Sequence, residues 1–137
     1  MNNLKMYCIC IHNNLLNKVR KLDYIPVGLG NENFSSEWLR DNTQESITDK
    51  NKYYGEYSFH YWFWKNEMKK IEKDTWIGFC AYRRFWVNPN GIKKDNNLIN
   101  KILKNIPTEW EKYDVILGDQ IKINEIPWIK IFKYGKI

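Results

Sequence analysis

Two short runs of apolar residues limit most strongly what this chain can fold into. Residues 6–11 and 76–80 are apolar without the alternation of a half-exposed strand, which is typical of strands covered on both faces. Strand patterns and helix patterns alternate along the rest of the sequence. The chain therefore predicts an α/β layered domain in which helices flank a parallel or mixed sheet.

The spacing of apolar residues predicts the other elements. A helix over about 49–70, apolar nearly all round and therefore buried, is predicted from residues three and four apart: Tyr57, Tyr61, Trp64, Met68 and Ile71. A second helix is predicted over 96–106 and a short helical turn over 107–110. Strands are predicted over 75–82 and 113–117, an extended segment over 24–28 and a loop over 31–49.

Length and composition favour one folded domain spanning residues 1–137. The net charge of +6 and the pI near 9.1 favour anionic partners, namely nucleic acid, an anionic membrane face or phosphorylated small molecules. Lysines are spread over the whole length, so the charge does not choose among these partners.

The sequence has three cysteines and no apolar run as long as a membrane span or a signal sequence. Both features bear on the cellular compartment. Cys8 and Cys10 lie two apart on one predicted strand, a geometry unsuited to a mutual disulfide. We expect these residues and Cys80 to be small buried hydrophobes in a reducing environment. The expected location is the cytoplasm.

Two adjacent arginines follow the strand predicted over 75–82. The chain has 22 Lys+Arg residues but only four arginines, so the pair Arg83 and Arg84 stands out. Each guanidinium can donate paired hydrogen bonds to phosphate or carboxylate oxygens, so two of them suit a doubly charged anion. The alternative is a pair bound to surface carboxylates. His12 also follows a predicted strand, and open α/β sheets bind ligands at the carboxyl ends of strands.

Glu56 and His60 lie one turn apart on the predicted buried helix, so each needs a partner. Either each side chain binds a structural partner, or the pair has a catalytic role. The sequence contains no Gly-rich phosphate loop, no zinc-spaced Cys or His residues, no Gly-x-Ser-x-Gly turn and no Asp-x-Asp pair. The chemistries that depend on those motifs are disfavoured.

Five motifs occur in a fixed order: Asp-Asn-Thr at 41–43, Ile-Thr-Asp-Lys-Asn at 47–51, Tyr-Gly-Glu-Tyr at 54–57, Tyr-Trp-Phe-Trp-Lys-Asn at 61–66 and Tyr-Arg-Arg-Phe at 82–85. Their order and spacing over 41–86 resemble a bacterial family of polysaccharide-synthesis proteins, the domain of unknown function 4422. Ala81 replaces the family's His before Tyr-Arg-Arg, and Tyr57-Ser58 replaces Leu-Thr after the helical Glu. Family members continue past residue 137, so we expect an incomplete N-terminal portion.

The resemblance implies a glycosyltransferase with a GT-A-like, Rossmann-like fold. Such an enzyme would use a nucleotide-sugar donor and a glycan or lipid-linked acceptor to build capsule, O-antigen or exopolysaccharide. The implied substrate-binding residues are His12, Asp41, Asn42, Thr43, Lys50, Asn51, Glu56, Tyr82, Arg83 and Arg84.

Roles for these residues follow from the same resemblance. Tyr82-Arg83-Arg84 would occupy the place of Asp-x-Asp, so the two arginines would stabilise a leaving diphosphate without metal; a divalent metal stays open. Lys50 and Asn51, at a helix start, would hold a second phosphate or a sugar hydroxyl. Residues 41–43 would contact the base, the ribose or the sugar, and Glu56 would support the arginines. No catalytic base is identified.

Two alternatives stay open. The first is a basic, aromatic-rich module that stacks single-stranded RNA or DNA; aromatic residues at buried helical spacing disfavour it. The second is an inactive or truncated transferase fold. The positive charge is also compatible with peripheral contact at the inner face of an anionic membrane.

Overall fold

A computed structural model describes residues 3–89 and 97–119. Four strands, β1 to β4, span Asn3–Cys10, Ile25–Gly28, Leu39–Arg40 and Thr75–Ala81. Four α-helices, α1 to α4, span Leu16–Arg20, Asn51–Tyr54, Tyr57–Trp62 and Leu98–Lys101. Short 3-10 helices cover Asn13–Leu15, Thr48–Lys50, Met68–Lys70 and Thr108–Trp110, and a π-helical turn covers Phe63–Glu67.

The four strands form one sheet in the order β3-β2-β1-β4, and every pair is parallel. Cys8 of β1 lies between Pro26 of β2 and Cys80 of β4. The predicted Rossmann-like α/β fold is therefore confirmed, with no antiparallel strand in the described sheet. β1 is central because it carries the most continuous apolar run.

Alternate residues of β1 build two cores. One face carries Met6, Cys8 and Cys10, which pack with residues from α1 and the loops: Val19, Leu22, Tyr24, Trp38, Ile102 and Leu103. Tyr7 and Ile9 on the other face pack against the helix after Gly55 through Phe59, Trp62 and Phe63. Burial on both faces explains the missing alternation in the sequence.

The cysteines are free and buried, as predicted. The Cys8 and Cys10 sulfurs lie 4.0 Å apart. The hydrogen bond with Cys8, together with burial, raises the pKa of the Cys10 thiol far above its ordinary value. Cys10 is therefore a neutral member of the core rather than a nucleophile.

The helix predicted over 49–70 is broken, which corrects the prediction. Gly55 adopts φ +55° and ends α2, a conformation that favours glycine. The π-helical turn then shifts the phase of the following residues. Tyr57, Trp64 and Met68 are exposed, because the helix after Gly55 turns Phe59, Trp62 and Phe63 toward the sheet. The predicted burial nearly all round the helix is therefore wrong, although Ile71 of the same set packs against the core.

Other boundaries also differ from the prediction. The helix predicted over 96–106 is limited to Leu98–Lys101 in the described part, and Ile102 then pairs with Val87 in an antiparallel bridge. Residues 113–117 form no strand, and Val115 is exposed. The helical turn after Pro107 is confirmed. The loop predicted over 31–49 contains β3. The tail over 121–137 lies outside the described residues.

Gly28 at the end of β2 should tolerate no side chain. A Cβ there would lie 2.5 Å from a ring carbon of Phe34, and that ring is held between Trp38 and the guanidinium of Arg40. We expect Gly28→Ala to lower the free energy of unfolding by about 1–3 kcal/mol in urea titrations. Gly78→Ala is the control, because its Cβ would meet the flexible end of Met6. An equal or larger loss for the control would contradict this argument.

Candidate functional site

The carboxyl ends of β1 and β4 mark the candidate site. From β1 the chain first adds β2 on one side and later returns to add β4 on the other, so these two strands flank a topological switch point. His12 follows β1 and Arg83 follows β4, at the same edge of the sheet. The predicted placement of these two residues at neighbouring strand ends is confirmed.

A cleft of about 540 Å³ opens at this switch point. Its lining includes the strand ends, the segment around Gly55 and several tyrosines: Ile9, Ile11, Leu29, Asn51, Lys52, Tyr53, Tyr54, Gly55, Glu56, Tyr57, Ala81 and Tyr82. We name it the switch-point cleft. Its volume and mostly apolar walls with a few polar groups are typical of small-molecule sites.

Tyr82 links the predicted residues at the sheet edge. Its backbone N–H donates to the Ile9 carbonyl at 3.0 Å. The His12 ring lies edge-on with its centroid 6.1 Å from that of Tyr82, and the Arg83 guanidinium lies 4.8 Å from the Tyr82 centroid. This cation–π contact places the Arg83 guanidinium over Tyr82, which lines the cleft, although Arg83 itself is not part of the lining.

The two arginines are exposed and do not share a cleft. A tight turn with an Arg84 N–H to Ala81 carbonyl bond of 2.9 Å separates them. Arg83 lies over Tyr82, whereas Arg84 lines a second cleft. Within residues 3–89 and 97–119, neither guanidinium forms an ion pair with a carboxylate. Among these residues, the alternative of a pair bound to surface carboxylates is not observed.

Arg40, the last residue of β3, is absent from the residues predicted from the sequence, and it lies at the same edge of the sheet without lining either cleft. Its Nη2 donates to the Gly30 carbonyl at 2.9 Å, and its guanidinium lies 4.6 Å from the Phe34 centroid. The Glu32 carboxylate, in the loop that contains Gly30, lies 3.3 Å from His12 Nδ1. Because arginine is scarce in this sequence, Arg40 could have been singled out. The polar residues around β3 predicted a loop there instead.

Asp41 is fully buried rather than exposed to a ligand. Its Oδ1 accepts from Thr48 Oγ1 at 3.0 Å and its Oδ2 from Ser58 Oγ at 2.7 Å. Asn51 Nδ2 donates to Ser58 Oγ at 2.8 Å. The carboxylate is thus satisfied by protein donors. Asp41 positions α3 against the sheet, whereas Asn51 reaches the lining of the switch-point cleft.

The remaining predicted residues of this region lie outside both clefts. Asn42, Thr43 and Lys50 are exposed, and Thr43 contributes its carbonyl to Trp62 Nε1 at 2.8 Å. Lys50 belongs to a 3-10 turn before a four-residue helix. The helix start predicted to favour anions there is therefore too short to act as one. Lys52 lines the switch-point cleft instead.

The second cleft, of about 780 Å³, opens on the far side of the β4 end, and we name it the tryptophan cleft. Trp86 and Trp110, with ring centroids 6.3 Å apart, line it together with Arg84 and Lys101. Glu56 lines both clefts. No described ion pair joins Glu56 to either arginine, so its predicted role of supporting them is not observed.

His60 lies behind Glu56 in the wall of the tryptophan cleft. Its Nε2 is buried without a hydrogen-bond partner, and its ring centroid is 4.7 Å from that of Phe79. Burial lowers the pKa of His60 and outweighs the opposing effect of Glu56. At neutral pH the ring is therefore uncharged.

The described ranges contain no group of three or more His, Cys, Asp or Glu residues that could hold a metal ion. Mg²⁺ is commonly held by one or two carboxylates together with substrate phosphates, so this finding bears only on a site built from protein ligands alone. Among the same residues, no helix has the length and apolar character that crossing a bilayer requires.

The buried Asp41 bonds should contribute to stability. Ser58→Ala removes a hydroxyl that donates to a carboxylate, so we expect a loss of about 1.5–3 kcal/mol in the free energy of unfolding. Thr43→Ala is the matched control, because the Thr43 side chain is exposed and should matter by less than about 0.5 kcal/mol. Similar effects for both variants would contradict a structural role for the Asp41 bonds.

The lowered pKa of His60 should make stability depend on pH. Below pH 6.5, the ordinary pKa of histidine, the unfolded chain binds a proton that the folded chain resists, so stability falls as the pH drops. We expect wild type to lose more stability than His60→Gln between pH 7 and pH 5 in urea titrations. Equal losses would show that His60 is not buried in its neutral form.

Comparisons with known proteins give one match. A family model described as "Domain of unknown function (DUF4422)" matches residues 5–133. No curated protein and no solved structure matches the chain. The matched range contains both clefts and all four strands apart from the first two residues of β1. Since the model covers nearly the whole sequence, the chain belongs to the DUF4422 family.

Proposed function

We propose that the chain is a glycosyltransferase that takes a nucleotide-sugar donor in the switch-point cleft and acts in the synthesis of capsule, O-antigen or exopolysaccharide. The observation that carries the proposal is the cleft itself. It opens at the switch point of a parallel sheet, where α/β folds bind nucleotides, and tyrosines line it. Family membership is compatible with this activity but does not specify it.

The chemistry of the walls suits a nucleoside diphosphate. Tyr54 and Tyr57 are exposed, at 52% and 68%, although aromatic residues of this size usually bury most of their surface. Their rings offer faces on which a base stacks, a contact worth about 1–3 kcal/mol. Lys52 in the wall, and Arg83 over the Tyr82 ring, offer positive charge for the phosphates.

The diphosphate is also the leaving group of such a reaction. Negative charge grows on its bridging oxygen as the bond to the sugar breaks, and fixed cations stabilise that charge. Arg83 lies over the Tyr82 ring, which lines the switch-point cleft, and Arg84, across the turn, lines the tryptophan cleft. In this proposal they approach the diphosphate from its two sides, and no step is assigned to a metal.

The partners follow from the same proposal. The acceptor is a glycan or lipid-linked sugar, and the site of action is the cytoplasm, at the inner face of the membrane. Lys65, Lys69 and Lys70 lie beside exposed Trp64 and Met68. A surface that mixes lysines with apolar side chains suits peripheral contact with anionic lipid.

The second candidate function is a module for single-stranded nucleic acid. The exposure of Tyr53, Tyr54, Tyr57 and Trp64 beside lysines favours it more than the sequence pattern did. A bounded cleft at a switch point nevertheless suits a mononucleotide better than a strand, which needs a continuous groove. Oligonucleotide binding that falls steeply with salt, without affinity for sugar nucleotides, would favour this candidate.

The proposed function is tested by calorimetric titration with a panel of UDP-, dTDP-, GDP- and ADP-sugars, with and without chelator. We expect one donor class to bind in the presence of chelator. Arg83→Lys and Arg84→Lys should each lose about 1.5–3 kcal/mol of affinity, roughly 10- to 150-fold, because an ammonium cannot replace the guanidinium fork.

The control is Arg20→Lys. Arg20 pairs with Glu37 at a distance of 2.5 Å on the surface and lines neither cleft. The donor affinity and the melting temperature of the Arg20→Lys variant should match those of wild type. Binding that requires a divalent metal and ignores Arg83→Lys and Arg84→Lys would overturn the roles given to the arginines. Failure of every sugar nucleotide to bind would overturn the proposed function.

A further inference from the structure

Glu56 occupies the ridge that separates the two clefts. It lines both the switch-point cleft and the tryptophan cleft, which share with it only Ile9 and Ala81. Ile9 and Ala81 belong to β1 and β4, so they form the floor at the sheet edge. Among the three shared residues, Glu56 alone has an ionisable side chain.

The backbone around Glu56 is well defined. Gly55, with φ +55°, turns the chain between α2 and α3. The Glu56 carbonyl then accepts from the N–H groups of Phe59 at 3.1 Å and His60 at 3.3 Å, which fixes it as the cap of α3. These bonds occupy the main chain and leave the side chain free to act.

The carboxylate is exposed, and no hydrogen bond or ion pair to another described residue involves it. Exposed carboxylates of this chain elsewhere do find cations, as Glu45 does with Lys65 at 3.2 Å. Glu56 is thus an acceptor at the N-terminal cap of α3 that lines two cavities. That is the arrangement a proton acceptor between two substrates requires.

The tryptophan cleft has the chemistry of a sugar site. The Trp86 ring is anchored by its Nε1 bond to the Phe79 carbonyl at 2.9 Å, and Trp110 stands edge-on to it. Flat aromatic faces pack against the C–H faces of sugars, and Lys101 and Asp119 offer groups that bind hydroxyls. A volume of about 780 Å³ suits a sugar or a short glycan.

We propose that Glu56 is the general base of the transferase, and that the acceptor is a sugar whose free hydroxyl lies in the tryptophan cleft. This inference rests on the proposed function, with the donor in the switch-point cleft. The Glu56 carboxylate takes the proton of the acceptor hydroxyl while the oxygen of that hydroxyl bonds to the anomeric carbon of the donor. The anomeric bond to the phosphate oxygen breaks, and its electron pair leaves on the nucleoside diphosphate. Direct attack of this kind inverts the anomeric centre.

The neighbouring groups fit this role. His60, behind Glu56, is uncharged at neutral pH because burial lowers its pKa, so it offers no fixed cation to neutralise the carboxylate. Arg84 lies in the same cleft wall but forms no ion pair with Glu56 in the described structure. Glu56 therefore keeps its lone pairs for a substrate proton.

The test compares Glu56→Gln, Glu56→Asp and a control, Glu72→Gln, whose exposed side chain lines neither cleft. Donor affinity is measured by calorimetry with the sugar nucleotide that binds wild type. Turnover is measured as release of nucleoside diphosphate, with water and with p-nitrophenyl hexosides as acceptors. Product anomers are identified by NMR.

For Glu56→Gln we expect kcat to fall by about 10²- to 10⁴-fold, the range that general bases contribute, with donor affinity and melting temperature close to wild type. Glu56→Asp should retain part of the activity, because it keeps a carboxylate, and Glu72→Gln should retain all of it. The product of wild type should have the inverted anomeric configuration.

Three results would overturn the inference: full turnover by Glu56→Gln, a loss confined to donor affinity, or retention of anomeric configuration. None of them contradicts donor binding in the switch-point cleft, so the proposed function would survive. If no sugar nucleotide binds wild type, the proposed function and this inference both fail.

Discussion

The burial of β1 on both faces is the constraint on which the rest of the structure depends. Its side chains alternate between two cores, so Met6 and Cys8 face one layer while Tyr7 faces the other. A strand so placed must be central, with parallel neighbours β2 and β4 paired on its two sides. The reversal of direction at β1 creates the switch point, and both clefts open beside the end of β4.

The sequence predicted those parts of the fold and site that depend on local pattern. The apolar runs of β1 and β4 identified the two strands, and the residues just after them, His12 and Arg83, lie at one edge as expected. Placement of this kind is predictable because the ends of parallel strands share an edge. It required no knowledge of the intervening chain.

The parts that failed depend on tertiary contacts or on backbone geometry. Aromatic residues lie on both sides of the helix after Gly55, and its contact with the sheet, not its sequence pattern, decides that Phe59 and Phe63 are buried while Tyr57 and Trp64 are exposed. β3, with only two residues, is fixed by its pairing with β2 rather than by its own sequence. Asp41 resembled a ligand-binding residue, yet hydroxyl donors from Thr48 and Ser58 satisfy it inside the protein.

The Asp41 bonds also explain how the fold could hold a catalytic carboxylate in place. Asp41 follows β3, and its bond to Ser58 joins the sheet edge directly to the first turn of α3. Glu56 caps that same turn, so its distance from the ends of β1 and β4 is set by a buried, charged hydrogen bond rather than by a loop. Bonds of this kind are stronger than neutral ones. A buried carboxylate can thus position an exposed one, and the family resemblance at 41–43 and at 54–57 reflects one connected structure.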